Sequence, residues 1–130
     1  MQESLLPRLS DGPEPLLEVA VSRLGHRLVL GVAGEVDIGS ADLLREALAG
    51  AVASDAGEVW VELTDVEFMD SSGLTAIMDA YRLLEARRFA LICPPGPARR
   101  VFELAGVDRV IPICPDRFAA NAALRADIER

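Results

Sequence analysis

The sequence predicts an α/β fold with a mostly parallel five-stranded sheet, an antiparallel edge strand and about four helices. Short runs of alternating apolar residues are typical of strands, and apolar residues repeated every three or four positions between these runs are typical of amphipathic helices. A short polar turn joins the first two runs, so these two strands are expected to be antiparallel. Every later strand follows a helix, and strands connected in this way run parallel beneath the helices.

The first part of the chain predicts a hairpin followed by a helix. An alternation that starts at Leu17 gives the first strand, residues 23–26 form the connection, and residues 27–33 form the second strand. Ser40 is expected to begin the helix, because its side-chain oxygen can accept a hydrogen bond from an N–H group of the first turn. Apolar positions within residues 44–52 then form the buried face of this helix.

The second part alternates strands and helices. Residues 58–63 form a strand, a loop over residues 64–70 follows, and a helix with an apolar stripe begins at Ser71. The remaining predicted elements are a strand over Phe89–Ile92, a helix over Pro97–Ala105 that ends at Gly106, a strand over Val110–Ile113 and a last helix capped by Asp116.

The composition indicates one globular domain. The chain has 130 residues, of which 51% are hydrophobic and 26% charged, and its net charge is −8. An acidic surface repels phosphate backbones and anionic headgroups, so we expect no direct binding to nucleic acid or to membranes. Residues 1–15 have neither the basic end nor the apolar centre of a signal peptide. We therefore expect a cytoplasmic protein with a flexible tail over residues 1–15 and a domain over residues 16–130.

Few residues are suited to metal or nucleophilic chemistry. The only histidine is His26, and the cysteines Cys93 and Cys114 do not form a CxxC motif. A metal site would lack ligands and a nucleophilic serine would lack a base, so we expect no metal, no cofactor and no enzymatic activity. Cys93 and Cys114 both follow buried strands. They are either small buried apolar residues or a redox pair that modulates partner binding.

The segment best suited to function is Asp70-Ser71-Ser72-Gly73-Leu74, at a junction between a strand and a helix. The first turn of a helix offers unpaired N–H groups and a partial positive charge, which stabilise a phosphate on a serine there. Gly73 is expected to leave this turn open to another molecule. The alternative is that these residues only cap the helix.

Asp37 also follows a strand, at the end of the sequence GEVD. The carboxyl ends of parallel strands lie at one edge of a sheet, so we expect Asp37, Asp70, Ser71 and Ser72 to share one patch. The alternative is that Asp37 forms only its own turn.

Three segments, GEVD, VEFMDSSGL and RRVFELAGVDRVIPI, occur in an order that resembles the STAS domain of bacterial anti-sigma factor antagonists. The resemblance runs from about Leu17 to beyond Ile113 and implies the STAS fold. In that family, the serine directly after the Asp is phosphorylated by an anti-sigma factor that is also an ATP-dependent serine kinase. The resemblance therefore makes Ser71 the phosphoacceptor. It assigns Asp37, Asp70, Ser72 and Gly73 to the surrounding phosphosite and docking surface, with Ser72 as a cap or alternate acceptor.

The resemblance also implies a switch in partner binding. The unphosphorylated protein binds the anti-sigma factor and releases the sigma factor, phosphorylation of Ser71 prevents this binding, and a PP2C-like phosphatase reverses it. The phosphate comes from ATP on the kinase, so the chain itself needs no cofactor, and we expect a monomer or a weak dimer. Family members commonly have Gly at the position of Thr75, which bears on the choice of partner.

Two other functions are compatible with parts of the sequence. A STAS subunit of a lipid-transport ABC complex, or a stress-signalling scaffold, would have the same fold and would need no phosphorylated serine. A small hydrolase with Ser71 or Ser72 as nucleophile is disfavoured, because the chain has one histidine and no GxSxG motif.

Overall fold

The structure is a computed structural model that describes residues 16–85 and 87–129. The flexible tail predicted for residues 1–15 lies outside the described residues. The strands are β1 (Leu17–Leu24), β2 (Arg27–Val36), β3 (Glu58–Met69), β4 (Arg88–Ile92) and β5 (Ile113–Cys114), and the helices are α1 (Ala41–Ala53), α2 (Ser71–Leu84), α3 (Pro97–Leu104) and α4 (Arg117–Glu129). A 3₁₀ turn over Val107–Arg109 follows α3. No helix within the described ranges is long and apolar enough to cross a membrane.

The five strands form one sheet in the order β1-β2-β3-β4-β5. The β1–β2 pair is antiparallel and the other three pairs are parallel. The predicted α/β fold, with its mostly parallel five-stranded sheet, antiparallel edge strand and four helices, is therefore confirmed. Gly25, with a φ of 63°, supplies the left-handed residue that the two-residue turn between β1 and β2 requires.

Apolar side chains cover both faces of the sheet, but unequally. The larger cluster lies on the face that carries α1, α2 and α3, and it includes Leu30, Val61, Leu91 and the fully buried Phe102 of α3. Neighbouring residues along each strand point to the opposite face. On that face a smaller cluster around Trp60 packs against α4 alone.

Strand β3 is longer than predicted. The expected loop over residues 64–70 is wrong, because β3 continues to Met69 and pairs with an equally extended β2. The register between β2 and β3 shifts after Gly31 and after Gly34, so this part of the ladder is irregular. Polar side chains in this extension are exposed, which is why the sequence alone resembles a loop.

The last strand lies later than predicted. The prediction of a strand over Val110–Ile113 is wrong, since β5 comprises only Ile113 and Cys114. Gly106 ends α3 as predicted, with a left-handed φ of 77°. The amides of Val110 and Ile111 then donate to the carbonyl of Val107, which holds these residues in a turn. Pro112 has no N–H group with which to join a ladder.

A buried carboxylate joins the amino end of β3 to its surroundings. Glu58 accepts hydrogen bonds from Arg27 at 2.9 Å, from the Trp60 indole at 2.7 Å and from Arg125 at 2.8 Å. The Arg27 guanidinium also lies 3.9 Å from the centre of the Trp60 ring. Burial alone would raise the pKa of Glu58, but the hydrogen bonds from Arg27, Trp60 and Arg125 more than offset it and hold the pKa below its ordinary value.

We predict that Glu58 contributes to an acid-dependent loss of stability. A carboxyl group whose pKa is lowered by folding stabilises the protein above its unfolded pKa of about 4.5, and this contribution is lost as the pH falls through the folded pKa. Glu58→Gln should lower the free energy of unfolding at pH 7 by about 2 kcal/mol, because charged hydrogen bonds are lost. Urea unfolding between pH 3 and pH 7 should give a shallower pH dependence for the variant. Equal slopes would contradict this role.

Gly34 is fixed by the start of β1. Its φ is 110°, and a Cβ atom there would overlap the carbonyl oxygen of Leu16. The same carbonyl accepts a hydrogen bond from the Glu35 amide at 2.8 Å. A residue with a side chain at position 34 would therefore separate the beginning of β1 from β2.

We expect Gly34→Ala to lower the free energy of unfolding by about 2–3 kcal/mol, since the variant combines an unfavourable φ with a backbone overlap. Gly57→Ala is the matched control, because Gly57 is exposed and a Cβ atom there meets nothing within 4 Å. The control should change stability by less than about 0.5 kcal/mol. Urea unfolding followed by circular dichroism measures both values, and equal midpoints would refute the prediction.

Candidate functional site

The candidate site lies where β2 and β3 end side by side. Val36 and Met69 are register partners at the ends of these strands, so the residues that follow them, Asp37 and Asp70, are neighbours. The Asp70 amide donates to the carbonyl of Val36 at 3.0 Å, which joins the two strand ends directly. The structure therefore brings together the two segments that the sequence predicted to share one edge of the sheet.

Asp37 organises the turn that follows β2. Its carboxylate oxygen Oδ1 accepts hydrogen bonds from the amides of Gly39 at 2.9 Å and Ser40 at 3.0 Å. The predicted cap by the Ser40 side chain is wrong. Its Oγ accepts from the Asp37 amide at 3.0 Å and donates to the carbonyl of Glu35 at 2.8 Å, so the hydroxyl closes the turn instead of capping α1.

This turn presents an apolar side chain. Ile38 is 85% exposed, whereas the polar groups on either side of it are hydrogen-bonded within the turn. A shallow groove of about 600 Å³ adjoins the turn, with the exposed side chains of Leu16 and Leu43 among those that line it. Ile38 is not among the residues predicted from the sequence. The available signal was a large apolar residue in a turn between Asp and Gly, where burial in the core is not expected.

Asp70 is the N-cap of α2. Its Oδ1 atom accepts a hydrogen bond from the Ser72 amide at 2.8 Å, and its backbone carbonyl accepts from the amides of Gly73 and Leu74. Asp70 thus caps α2, whether or not the segment also has a function. Ser72 is half-buried, and it is the residue whose amide is capped.

Ser71 is the first residue of α2, and its side chain is exposed. Its hydroxyl group is accessible at the positive end of the helix, where a phosphate is favoured. Thr75, one turn further along α2, is also exposed. The two side chains therefore lie on the same side of the helix, because residues four apart share a face.

Gly73 lies on the inner side of this turn. The expectation that it leaves the turn open to another molecule is wrong, because Gly73 is buried. A Cβ atom at this position would lie 2.7 Å from Cγ1 of Val36 and 3.0 Å from Cγ of Met69. The missing side chain lets the first turn of α2 approach the ends of β2 and β3.

The two cysteines lie at the ends of neighbouring strands. The Cys93 amide donates to the Cys114 carbonyl at 2.8 Å, but the Cys93 side chain packs in the larger cluster and that of Cys114 in the smaller one, across the sheet. Both are free and buried. Burial raises the pKa of Cys93 to about 11 and also raises that of Cys114, although the nearby Arg99 opposes both shifts. This arrangement favours buried apolar residues over a redox pair.

The fold defines an α/β domain with one mixed sheet, and the candidate site lies where β2 and β3 end beside the start of α2. Residues 18–120 match the STAS domain family, and the chain belongs to that family.

Several relatives have assigned functions. The anti-sigma-B factor antagonist of Listeria monocytogenes is 33% identical over 84 residues, which are 63% of this chain and 74% of the relative. The anti-sigma-B factor antagonist of Bacillus subtilis is 28% identical over 99 residues, covering 75% of this chain and 90% of the relative.

Solved structures show the same fold. An anti-sigma factor antagonist from Mycobacterium paratuberculosis superposes with a TM-score of 0.80 at 28% identity, over 84% of this chain and 94% of the other. SpoIIAA in its unphosphorylated form superposes with a TM-score of 0.69 at 22% identity, over 84% of this chain and 97% of the other. SpoIIAA has also been solved in its phosphorylated form, and that structure superposes on this chain with a TM-score of 0.62 at 23% identity.

We predict that Asp70 stabilises α2 more through its hydrogen bond than through its charge. Asp70→Ala removes the acceptor for the Ser72 amide and should lower the free energy of unfolding by about 1 kcal/mol. Asp70→Asn keeps a side-chain oxygen in the same place and should retain at least half of this energy. Urea unfolding at neutral pH measures both variants. An equal loss in Ala and Asn would contradict the capping role.

Proposed function

We propose that this protein is an anti-sigma factor antagonist whose binding to an anti-sigma factor is switched off by phosphorylation of Ser71. The names of the relatives support the antagonist function. The observation that carries the assignment of Ser71 is its position, an exposed hydroxyl at the first residue of α2 beside the turn of Asp37. Ser72 is the weaker acceptor because its side chain is half-buried.

The phosphoryl donor in this proposal is ATP bound to the anti-sigma factor, which acts as the kinase. The Ser71 Oγ atom forms a bond to the γ-phosphorus of ATP while the bond to the β,γ-bridging oxygen breaks and ADP leaves. A base on the kinase takes the proton of the hydroxyl group. This chain supplies the acceptor and holds it in place, and it needs no metal or cofactor of its own.

Docking uses the surface formed by the first turn of α2 and the turn over residues 37–40. Ile38, which is 85% exposed, supplies apolar contact area within this surface. Asp37 and Asp70 are engaged in hydrogen bonds within their own turns, so the surface is shaped before a partner arrives. A preformed surface avoids part of the entropic cost of association.

Phosphorylation would change the charge of this surface. A phosphoserine carries about −1.5 to −2 charges at neutral pH, and here it would stand next to the carboxylates of Asp37 and Asp70. The added charge has to be desolvated when the anti-sigma factor docks, and it repels any acidic group facing it. The fold itself would tolerate the phosphate, because Ser71 is exposed and lies at a helix N-terminus. A PP2C-like phosphatase would reverse the modification.

We predict that Ser71→Ala abolishes phosphorylation and retains binding, whereas Ser71→Glu weakens binding to the anti-sigma factor by about tenfold or more. The assay incubates purified protein with candidate anti-sigma factor kinases, Mg²⁺ and labelled ATP, and titration calorimetry gives the affinities. Ser72→Ala is the matched control, and it should be labelled at close to the wild-type rate.

Three results would count against the proposal. Undiminished labelling of Ser71→Ala would overturn the choice of acceptor, and loss of labelling only in Ser72→Ala would transfer the role to Ser72. Stable association with subunits of an ABC transporter or of a signalling scaffold, with no binding to any anti-sigma factor, would overturn the antagonist function.

A further inference from the structure

Strand β1 forms one edge of the sheet, and the sheet order places no described strand beyond it. Its pairing with β2 runs from Leu17↔Gly34 to Leu24↔Arg27 without a bulge; the strand contains no proline, and its charged residues are Glu18 and Arg23. Natural proteins usually protect a long edge strand with proline, with charged residues or with irregular pairing, because an open edge pairs readily with another chain. The edge has no proline and no irregular pairing, and its two charged residues have opposite signs, so it is suited to association with another strand.

The hydrogen-bond pattern identifies which groups face outwards. The Glu35 amide donates to the Leu16 carbonyl, and these two residues lie opposite each other when the β1–β2 register is continued by one residue beyond Leu17↔Gly34. In an antiparallel pair, residues that exchange hydrogen bonds alternate with residues that do not. The even-numbered residues of β1 therefore direct their N–H and C=O groups to β2. The odd-numbered residues, Leu17, Val19, Val21 and Arg23, direct theirs to the open edge.

We propose that β1 pairs with β1 of a second copy of this chain, antiparallel and about a two-fold axis at Ala20. This register brings the outward-facing backbone groups of Leu17 opposite those of Arg23 in the second copy, and those of Val19 opposite those of Val21. All four odd-numbered residues of each strand then exchange hydrogen bonds, about eight in total. A register centred on Val21 would leave Leu17 unpaired.

The side chains fit this self-pairing. On the face that carries α1, Val19 would contact Val21 of the second copy, and β-branched pairs of this kind favour strand association. Val21 is 54% exposed, so α1 does not cover the outer edge at this position. On the other face, Ala20 would meet its own symmetry mate, a small residue that lets the strands approach. No two like charges would lie directly opposite each other.

The resulting dimer would have one continuous ten-stranded sheet. The two copies of β1 are antiparallel. The surface formed by the turn of Asp37 and the start of α2 would therefore lie at one end of the dimer in one copy and at the opposite end in the other copy. Both copies of Ser71 would remain accessible. The edge of β1 adjoins the proposed docking surface only at its beginning, where Leu16 and Leu17 line the groove beside the Asp37 turn, and the inference does not depend on the function of Ser71.

The position of the axis can be tested by cross-linking the full chain. Residues opposite each other in a pair without hydrogen bonds have Cα atoms about 4.5 Å apart, which suits a disulfide. Ala20→Cys should therefore form a disulfide-linked dimer under mild oxidation. Ser22→Cys is the matched control, because Ser22 would face Glu18 of the second copy and should cross-link at least tenfold more slowly. The wild-type chain, with Cys93 and Cys114 buried, should not cross-link.

Sedimentation equilibrium and light scattering test the association itself. Wild-type protein should change from monomer to dimer as its concentration rises from 1 µM to about 1 mM. Val21→Pro removes an outward N–H group and should therefore raise the dissociation constant of the dimer at least tenfold. Thermal unfolding checks that Val21→Pro remains folded. A monomer at every concentration would overturn the proposal. This is the result expected if residues 1–15 of the same chain, and not a second copy, cover the edge of β1. Equal cross-linking of Ala20→Cys and Ser22→Cys, or a dimer that a folded Val21→Pro leaves intact, would also overturn it.

Discussion

The candidate site depends on the close approach of the first turn of α2 to the ends of β2 and β3. Gly73 permits this approach, because a Cβ atom there would lie 2.7 Å from Val36 and 3.0 Å from Met69. With the helix in this position, the Asp70 amide reaches the Val36 carbonyl and the Asp70 side chain caps the helix. Packing at a buried glycine thus determines where the exposed hydroxyl of Ser71 lies.

The acidic residues of the site have structural tasks that precede any role in binding. Asp37 holds its turn through two amides and Asp70 holds the start of α2, so both carboxylates keep fixed positions. An alanine variant at either position therefore changes local structure together with surface charge. The effect of charge alone is seen more clearly at Ser71, whose exposed side chain makes no contact that the fold requires.

Much of the fold can be predicted from local sequence. The predictions that were wrong concern features that depend on contacts between distant parts of the chain. The hairpin turn, the Asp70 cap and the end of α3 at Gly106 each depend on one residue and its neighbours. The extension of β3 depends on its pairing with a distant strand, and exposed residues such as Asp65 resemble a loop. At the site, the sequence indicated Asp37, Asp70 and Ser71. It did not indicate the burial of Gly73 or the exposure of Ile38, because both depend on how α2 and the turn of Asp37 pack on the sheet.

The rigidity of the site has a quantitative consequence under the proposed function. Ser71 lies on an already folded helix end, next to turns whose hydrogen bonds are internal. In this proposal, modification of one molecule alters the affinity of that molecule through local charge, without a change in the fold. The concentration of active antagonist falls in direct proportion to the fraction phosphorylated. Any threshold in the cellular response would then arise from stoichiometry, at the point where active antagonist equals the anti-sigma factor that it titrates.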